Sequence, residues 1–135
     1  MISLALLVSV SLLVPAVATA KPGCKTRECH KRTAVHQLFP YCNTWRCAQK
    51  QLRRQARRLT PLEACIIHHE STGNPLAQNG QYKGIAQWSP YVWARDGGRR
   101  FGPTPHHATY AEQVWVLKRG LRRYGCADWC PFDPC

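Results

Sequence analysis

The chain has 135 residues, a formal net charge of +12, 44% hydrophobic residues and eight cysteines. This length bounds the protein at one compact domain plus a small appendage. The charge favours polyanionic partners, but no helix-turn-helix, zinc-finger or other reader motif occurs, so sequence-specific nucleic acid recognition is not expected.

Residues 1–20 have the pattern of a secretory signal peptide. An apolar run over 4–17 is followed by Ala18-Thr19-Ala20, a small-x-small cleavage pattern. No Lys or Arg precedes the run, so a start further upstream and retention as an anchor are the alternatives, although the run is short for a spanning helix. We expect cleavage, a mature chain of about 115 residues and a secreted, extracellular protein associated with the cell wall.

All eight cysteines follow this leader, and an even count in a small exported chain favours a disulfide framework. The cysteine spacings lack the Cys-x2-Cys knuckle of zinc sites. The zinc-protease pattern His-Glu-x-x-His also fails, because the third residue after His69-Glu70 is Gly73. We expect no metal and no other cofactor, and interpret the paired histidines as surface or packing groups. The disulfide candidates are Cys24, Cys29, Cys42, Cys47, Cys65, Cys126, Cys130 and Cys135.

Residues 21–59 are predicted to form a separate unit, a disulfide-stapled helical hairpin. Cys24-x4-Cys29 and Cys42-x4-Cys47 are mirrored spacings. Two antiparallel helices would allow nested bridges, Cys24 with Cys47 and Cys29 with Cys42, while the sequence permits two other pairings. A hairpin of this size needs such bridges, because its apolar core is thin.

This unit also carries most of the charge. Residues 21–59 hold eleven Lys or Arg against Glu28 alone, whereas residues 60–135 hold eight against six acids. Arg53-Arg54 and Arg57-Arg58 lie at helical spacing and could follow one face of a helix. A solvated basic face and an anion-binding role are both open. For an exported protein the candidate partners are anionic wall polymers or a membrane surface, with nucleic acid as the runner-up.

The central stretch of the chain begins at Thr60 and leads to Glu70. Thr60 as N-cap, Pro61 at the first helical position and Glu63 in a capping box predict a helix start. The next residues are apolar on nearly every side, which predicts a buried helix that ends near Gly73. Apolar surroundings and the negative helix end both favour the protonated form of Glu70, as a proton donor to a glycosidic oxygen requires. A surface ion pair that closes the helix is the alternative.

Two further helices are predicted after the loop. Ser89 and Pro90 indicate the start of a short helix, and Thr109 with Glu112 forms a second capping box before a helix that ends at Gly125. No run of convincing alternation predicts a strand. The expected fold class is therefore mainly α.

The loop after Glu70 resembles the signature of the lysozyme-like lytic transglycosylases: a catalytic Glu followed by Ser, then Asn-Pro, then a Gly-x-x-Gln segment. It is still more similar to the transglycosylase-like domain of the resuscitation-promoting factors, over about residues 60–130. The resemblance implies a small lysozyme-like domain over 60–135, after the hairpin, with Glu70 as the catalytic acid. The matching residues are Glu70, Gly73, Asn74, Gly80, Tyr82, Gly84, Gln87, Trp88, Trp93, Gly97, Gly98, Ala108, Thr109 and Gln113.

The chain departs from that family near the catalytic position. His69 stands where the family usually has Cys directly before the Glu, and a cysteine occurs instead at Cys65. A disulfide from this helix to the cysteines of the C-terminal tail is therefore expected from a different helical position. Thr72 replaces a usual Gly, and the loop before Gln87 is one residue short.

The reaction implied by the resemblance is cleavage of peptidoglycan between N-acetylmuramic acid and N-acetylglucosamine. Glu70 would protonate the bridging oxygen. A glycosidase also needs a second carboxylate, and Asp96 is the possible second acid. No acid lies between Glu70 and Asp96, which favours an anhydro-forming transglycosylase in which Glu70 returns as base. The predicted substrate-binding residues are Ser71, Asn79, Tyr82, Gln87, Trp88 and Trp93, with core packing as the alternative for the aromatic ones.

A non-enzymatic function is the competing hypothesis. A cationic, disulfide-rich protein that binds cell wall, membrane or nucleic acid would keep its binding without Glu70. It would lose that binding on truncation of residues 21–59 or at high salt. In either case we expect a monomer.

Overall fold

The computed structural model describes residues 38–131 and residue 135. The signal peptide predicted over 1–20 and the first arm of the predicted hairpin, with Cys24 and Cys29, lie outside the described residues. Four α-helices and a short hairpin of strands lie wholly within the described part, and the fold is mainly α as predicted. None of the helices in this part combines the length and apolarity that crossing a bilayer requires.

The helices are α1 (Trp45–Ala56), α2 (Pro61–Ser71), α3 (Pro90–Arg95) and α4 (Tyr110–Tyr124). The strands β1 (Gln78–Asn79) and β2 (Tyr82–Lys83) pair antiparallel between α2 and α3. Two 3-10 turns, Gly98–Arg100 and Pro105–His107, connect α3 to α4. The strands were not predicted, because two residues per strand cannot show an alternating pattern.

Both predicted capping boxes are confirmed. The Thr60 hydroxyl accepts the Glu63 backbone N–H, and the Glu63 carboxylate accepts the Thr60 N–H at 2.8 Å. The same exchange joins Thr109 and Glu112 at the start of α4. These local bonds fix where α2 and α4 begin.

Helix α2 is buried on one side only. Ile66 and Ile67 lie in the core, whereas Ala64, His68 and His69 are exposed. The expectation of a helix surrounded by apolar contacts is therefore wrong. The outward position of both histidines agrees with their interpretation as surface groups.

Helix α1 packs against α4. Leu52 of α1 and Val116 and Leu117 of α4 are fully buried in one hydrophobic cluster. Gln49 of α1 also donates to the Glu112 carboxylate at 3.1 Å. In the described part, the residues before and after the predicted boundary between residues 59 and 60 thus share a core.

Three disulfides join the described cysteines: Cys42–Cys47, Cys65–Cys135 and Cys126–Cys130. The predicted tie between α2 and the C-terminal tail is confirmed by Cys65–Cys135. The nested hairpin bridges are wrong, because Cys42 pairs with Cys47. The chain turns sharply before α1 and brings their Cα atoms to 5.4 Å, within disulfide reach.

Gly120 of α4 lies directly against the buried carboxyl group of Asp96. A Cβ added at Gly120 would stand 2.5 Å from Asp96 Oδ2. We expect Gly120→Ala to lower the free energy of unfolding by about 1–3 kcal/mol, although alanine alone favours a helix by about 1 kcal/mol. Thermal unfolding followed by circular dichroism measures this change. An increase in the unfolding temperature, as helix propensity alone predicts, would contradict the close approach.

Candidate active site

A cleft of about 480 Å³ opens between the end of α2, the β-hairpin and the C-terminal segment, defined as residues 126–131. A smaller cavity of about 190 Å³ shares four of its lining residues. The two cavities therefore form one groove. The residues that line the larger cavity are His69, Glu70, Asn79, Tyr82, Gln87, Asp128 and Trp129.

Glu70 stands in the last turn of α2, half-buried on the wall of the cleft. The neighbouring Ser71 fixes this turn, since its hydroxyl donates to the Ile85 carbonyl at 2.9 Å and accepts the Gly73 N–H at 3.1 Å. Ser71 does not line the cleft. Its hydroxyl is used to hold the helix end against the loop, which differs from the substrate contact predicted for it.

The β-hairpin supplies two of the predicted substrate-binding residues. Asn79 and Tyr82 are partners in the strand register, so they lie next to each other, and both line the cleft. Gly80 makes the turn between them in a left-handed conformation with φ of +57°. The Tyr82 side chain is 45% exposed, so its ring can be reached by a ligand.

The side chain of Gln113 in α4 holds the loop that presents Gln87 in place by hydrogen bonds. The fully buried Gln113 accepts the Ile85 N–H at 2.8 Å through Oε1. Gln87 has a left-handed backbone with φ of +47°, a strained conformation for a residue with a side chain. The Nε2 of Gln113 lies within hydrogen-bond distance of three carbonyl oxygens, those of Pro75, Pro105 and Ala108.

The two tryptophans predicted as sugar contacts belong to the core. Trp88 and Trp93 are 1% and 0% exposed and pack edge to face at 5.3 Å. Trp93 also donates its indole N–H to the Gly102 carbonyl at 3.0 Å. Trp88 contributes to the wall of the smaller cavity, whereas Trp93 lines none of the described cavities and leaves no face for a sugar ring.

The predicted second acid, Asp96, lies away from the cleft. It is fully buried, and burial raises the pKa of its carboxyl group, an effect that the hydrogen bond from Arg95 Nε at 2.9 Å opposes. The terminal nitrogens of the same Arg95 donate to both oxygens of Asp128, and this bonding raises the pKa of Arg95. Asp128 lines the cleft. The second carboxylate of the cleft is therefore Asp128, and Asp96 supports it through the shared arginine.

Trp129 also lines the cleft, although it was not predicted from the sequence as a site residue. It is 3% exposed, and its indole N–H donates to the Ala86 carbonyl at 2.8 Å, which fastens the C-terminal segment to the loop before Gln87. The sequence held one signal for both missed residues. Asp128-Trp129 stands between Cys126 and Cys130, in a tail expected to return to α2.

One group near the cleft has the composition of a metal site. A ring nitrogen of His69 lies within 4.8 Å of the sulfurs of Cys65 and Cys135. Those two sulfurs are joined as a disulfide and carry no thiolate charge. A thiolate metal site would require reduction of that bridge.

Comparison with known proteins gives one match. A family model described as "Transglycosylase-like domain" matches residues 63–131. This range includes α2 from its third residue, the β-hairpin, α3, α4 and all the residues that line the cleft. Searches of curated proteins and of solved structures gave no significant match.

Proposed function

Because the chain belongs to the transglycosylase-like domain family, we propose that it cleaves the glycan strands of bacterial peptidoglycan with Glu70 as the general acid. The observation that carries this proposal is the position of Glu70, at the end of a helix anchored in the core and on the wall of a groove with aromatic and amide side chains. Such a groove suits a sugar polymer, whose rings offer both flat faces and hydroxyl groups.

The proposed bond is the one between N-acetylmuramic acid and N-acetylglucosamine. The Glu70 carboxyl gives its proton to the bridging oxygen while the bond from that oxygen to the muramic acid C1 breaks. The C6 hydroxyl of the same sugar then attacks C1, and its proton passes to the Glu70 carboxylate. Glu70 ends protonated as it began, and the product is an anhydro sugar.

Asp128 is proposed to stabilise the positive charge that develops on the sugar ring. The transition state of glycoside cleavage resembles an oxocarbenium ion, and a carboxylate in the same cleft lowers its energy. The ion pair with Arg95 keeps the Asp128 carboxylate in one orientation. This pairing makes Asp128 a poor nucleophile, so the intramolecular route through the C6 hydroxyl is favoured over hydrolysis.

Sugar binding is assigned to the exposed ring of Tyr82 and to the side chains of Asn79 and Gln87. Trp129 lines the cleft next to Asp128. The three disulfides form in oxidising compartments, which supports a secreted protein that acts at the cell wall.

Asp128→Asn tests the electrostatic role. The variant keeps the shape of the side chain but removes its charge, and we expect the cleavage rate to fall roughly tenfold to hundredfold. The product should remain an anhydro sugar, lighter by one water than the hydrolytic product in mass analysis. Because the ion pair is part-exposed, the free energy of unfolding should change by only about 1 kcal/mol.

Two results would contradict this assignment. Hydrolytic products from the wild-type protein, together with a complete loss of activity in Asp128→Asn, would make Asp128 a base that activates water. An unchanged rate in Asp128→Asn would remove it from the reaction. Asp96→Asn is the comparison variant, since it changes the same arginine network outside the cleft.

A further inference from the structure

Helix α1 carries a row of cations that the proposed cleavage does not use. The residues lie at spacings of four, three and one along the helix, which places them within about 100° of its circumference. All are exposed, whereas Ala48 and Leu52 on the opposite side are buried against the core. We call this row the basic stripe: Arg46, Lys50, Arg53 and Arg54 of α1, and Arg57, the residue that caps its C-terminus.

The basic stripe has no acidic residue close to it in the sequence. No Asp or Glu occurs between residues 38 and 62. The ion pairs formed among residues 38–131 involve Arg95 and Lys118, not the stripe. Like charges four residues apart destabilise a helix by about 0.2–0.5 kcal/mol per pair. The stripe therefore costs stability in the isolated protein, and a polyanion would remove that cost.

The shape of the stripe favours a linear polymer with regular negative charges. Arg53 and Arg54 lie at nearly the same height, so the five cations form four levels that are about 5–6 Å apart along the helix axis and extend over about 16 Å. A chain of phosphodiesters laid along α1 could pair with successive cations. Arg is well suited to this role because its planar guanidinium forms two parallel hydrogen bonds with a phosphate.

A cavity of about 410 Å³ lies beside the stripe, between α1 and the first turn of α4. Arg53 and Arg57 border it on one side, and Thr109, Tyr110 and Ala111 on the other. The groove offers space for the uncharged part of a polymer repeat next to the cations that bind its phosphates. The cavity is bordered by a single aromatic ring, that of Tyr110, whereas a nucleic acid would need an aromatic stack for each base, so a polyol fits better.

A membrane surface fits these features less well. A helix that binds a bilayer lays its apolar face into the lipid. The apolar face of α1 is packed against α4, and none of its large apolar side chains is exposed. The stripe thus provides charge without any residue that inserts into lipid.

We propose that the basic stripe of α1 binds a phosphodiester-linked polyol of the cell wall and holds the enzyme at its substrate. The choice of a wall polymer rests on the proposed function, whereas binding to a polyphosphate chain does not. The surface lies outside the cleft, so binding and cleavage can be tested separately.

The experiment compares walls that carry their phosphate polymer with walls from which it has been removed by acid. The stripe variant is Arg53→Gln/Arg57→Gln, which keeps good helix formers at both positions. The control variant is Arg99→Gln/Arg122→Gln, which removes the same charge from two other exposed arginines. Sedimentation with the walls and titration with the isolated polymer measure binding.

We expect the stripe variant to lose affinity for polymer-bearing walls by tenfold or more, and the control to change by about twofold at most. If the wild-type protein makes four phosphate contacts, raising the salt concentration from 50 to 200 mM should weaken its binding about 50-fold. If it makes only two contacts, the same change should weaken binding about sevenfold. Both variants should cleave polymer-free peptidoglycan at the wild-type rate. This last measurement separates the two proposals. If the wild-type protein binds the polymer but cleaves no peptidoglycan, the proposed function is wrong and the inference about the basic stripe still holds.

Three results would overturn the inference. Equal losses in the stripe and control variants would show that only net charge matters. Undiminished binding to polymer-free walls would show that the phosphate polymer is not the ligand. Tighter binding to anionic phospholipid vesicles or to single-stranded nucleic acid, at equal phosphate concentration, would assign the stripe to that partner instead.

Discussion

Glu70→Gln should reduce the release of soluble muropeptides from purified peptidoglycan by a hundredfold or more. Glutamine has nearly the same shape as glutamate but cannot give a proton to the bridging oxygen, and general acid catalysis contributes about 10²–10⁴ in rate. The proton donor in this proposal also returns as base, so its loss affects both steps. Chromatography and mass analysis of the released fragments measure the rate and identify the sugar ends.

Glu63→Gln is the matched control. It removes a carboxylate charge from the same helix, and glutamine can still complete the capping box with Thr60. Because Glu63 is also ion-paired with Lys118, the unfolding temperature of this control is measured together with its activity. We expect its activity to stay within about threefold of wild type. Release that is unchanged in Glu70→Gln would remove the catalytic assignment. A large drop in unfolding temperature of that variant would mean that the fold, rather than the chemistry, had been lost.

Gln113→Leu should have the largest effect on stability. The Gln113 amide is fully buried, accepts the Ile85 N–H and lies within hydrogen-bond distance of the carbonyl oxygens of Pro75, Pro105 and Ala108, which belong to two other segments. Leucine fills most of the volume but leaves these polar groups without their partner, at about 1–3 kcal/mol for each unsatisfied group. We expect a loss of about 3 kcal/mol or more and an unfolding temperature lower by roughly 15 °C.

The comparison variant is Gln81→Leu, at an exposed position of the β-hairpin turn, which should change stability by about 0.5 kcal/mol or less. Urea unfolding gives both values on one scale. Gln113→Leu should also slow cleavage, because the loop that presents Gln87 loses its anchor. Stability within about 1 kcal/mol of wild type would show that the buried amide does not hold this loop.

The parts of the fold that local chemistry determines could be predicted from the sequence. Thr60 with Glu63, and Thr109 with Glu112, act over four consecutive residues, so their capping boxes could be identified without knowledge of the tertiary structure. The end of α2 beside Gly73 and the position of Glu70 follow from the same helix. Asn79 and Tyr82 could be placed in the loop after Glu70, but the strands that pair them could not be predicted.

The parts of the cleft that depend on distant contacts could not be predicted. Asp128 follows Glu70 by many residues and enters the cleft only because the C-terminal segment folds back and Arg95 bonds it there. Asp96 is closer in sequence, but its helix directs it into the core. The pairing of Cys42 with Cys47 depends on a sharp turn that the cysteine spacing does not reveal.

The bridge between Cys65 and Cys135 closes a covalent ring around nearly the whole domain, since the two cysteines are 70 positions apart. A protease that cut the peptide backbone once within that ring would produce two ends but no separate fragment. The helix with Glu70 and the segment with Asp128 would stay joined through sulfur. A protein with this closure can tolerate a nick in an exposed loop outside the cleft and still keep both of these parts of its active site attached.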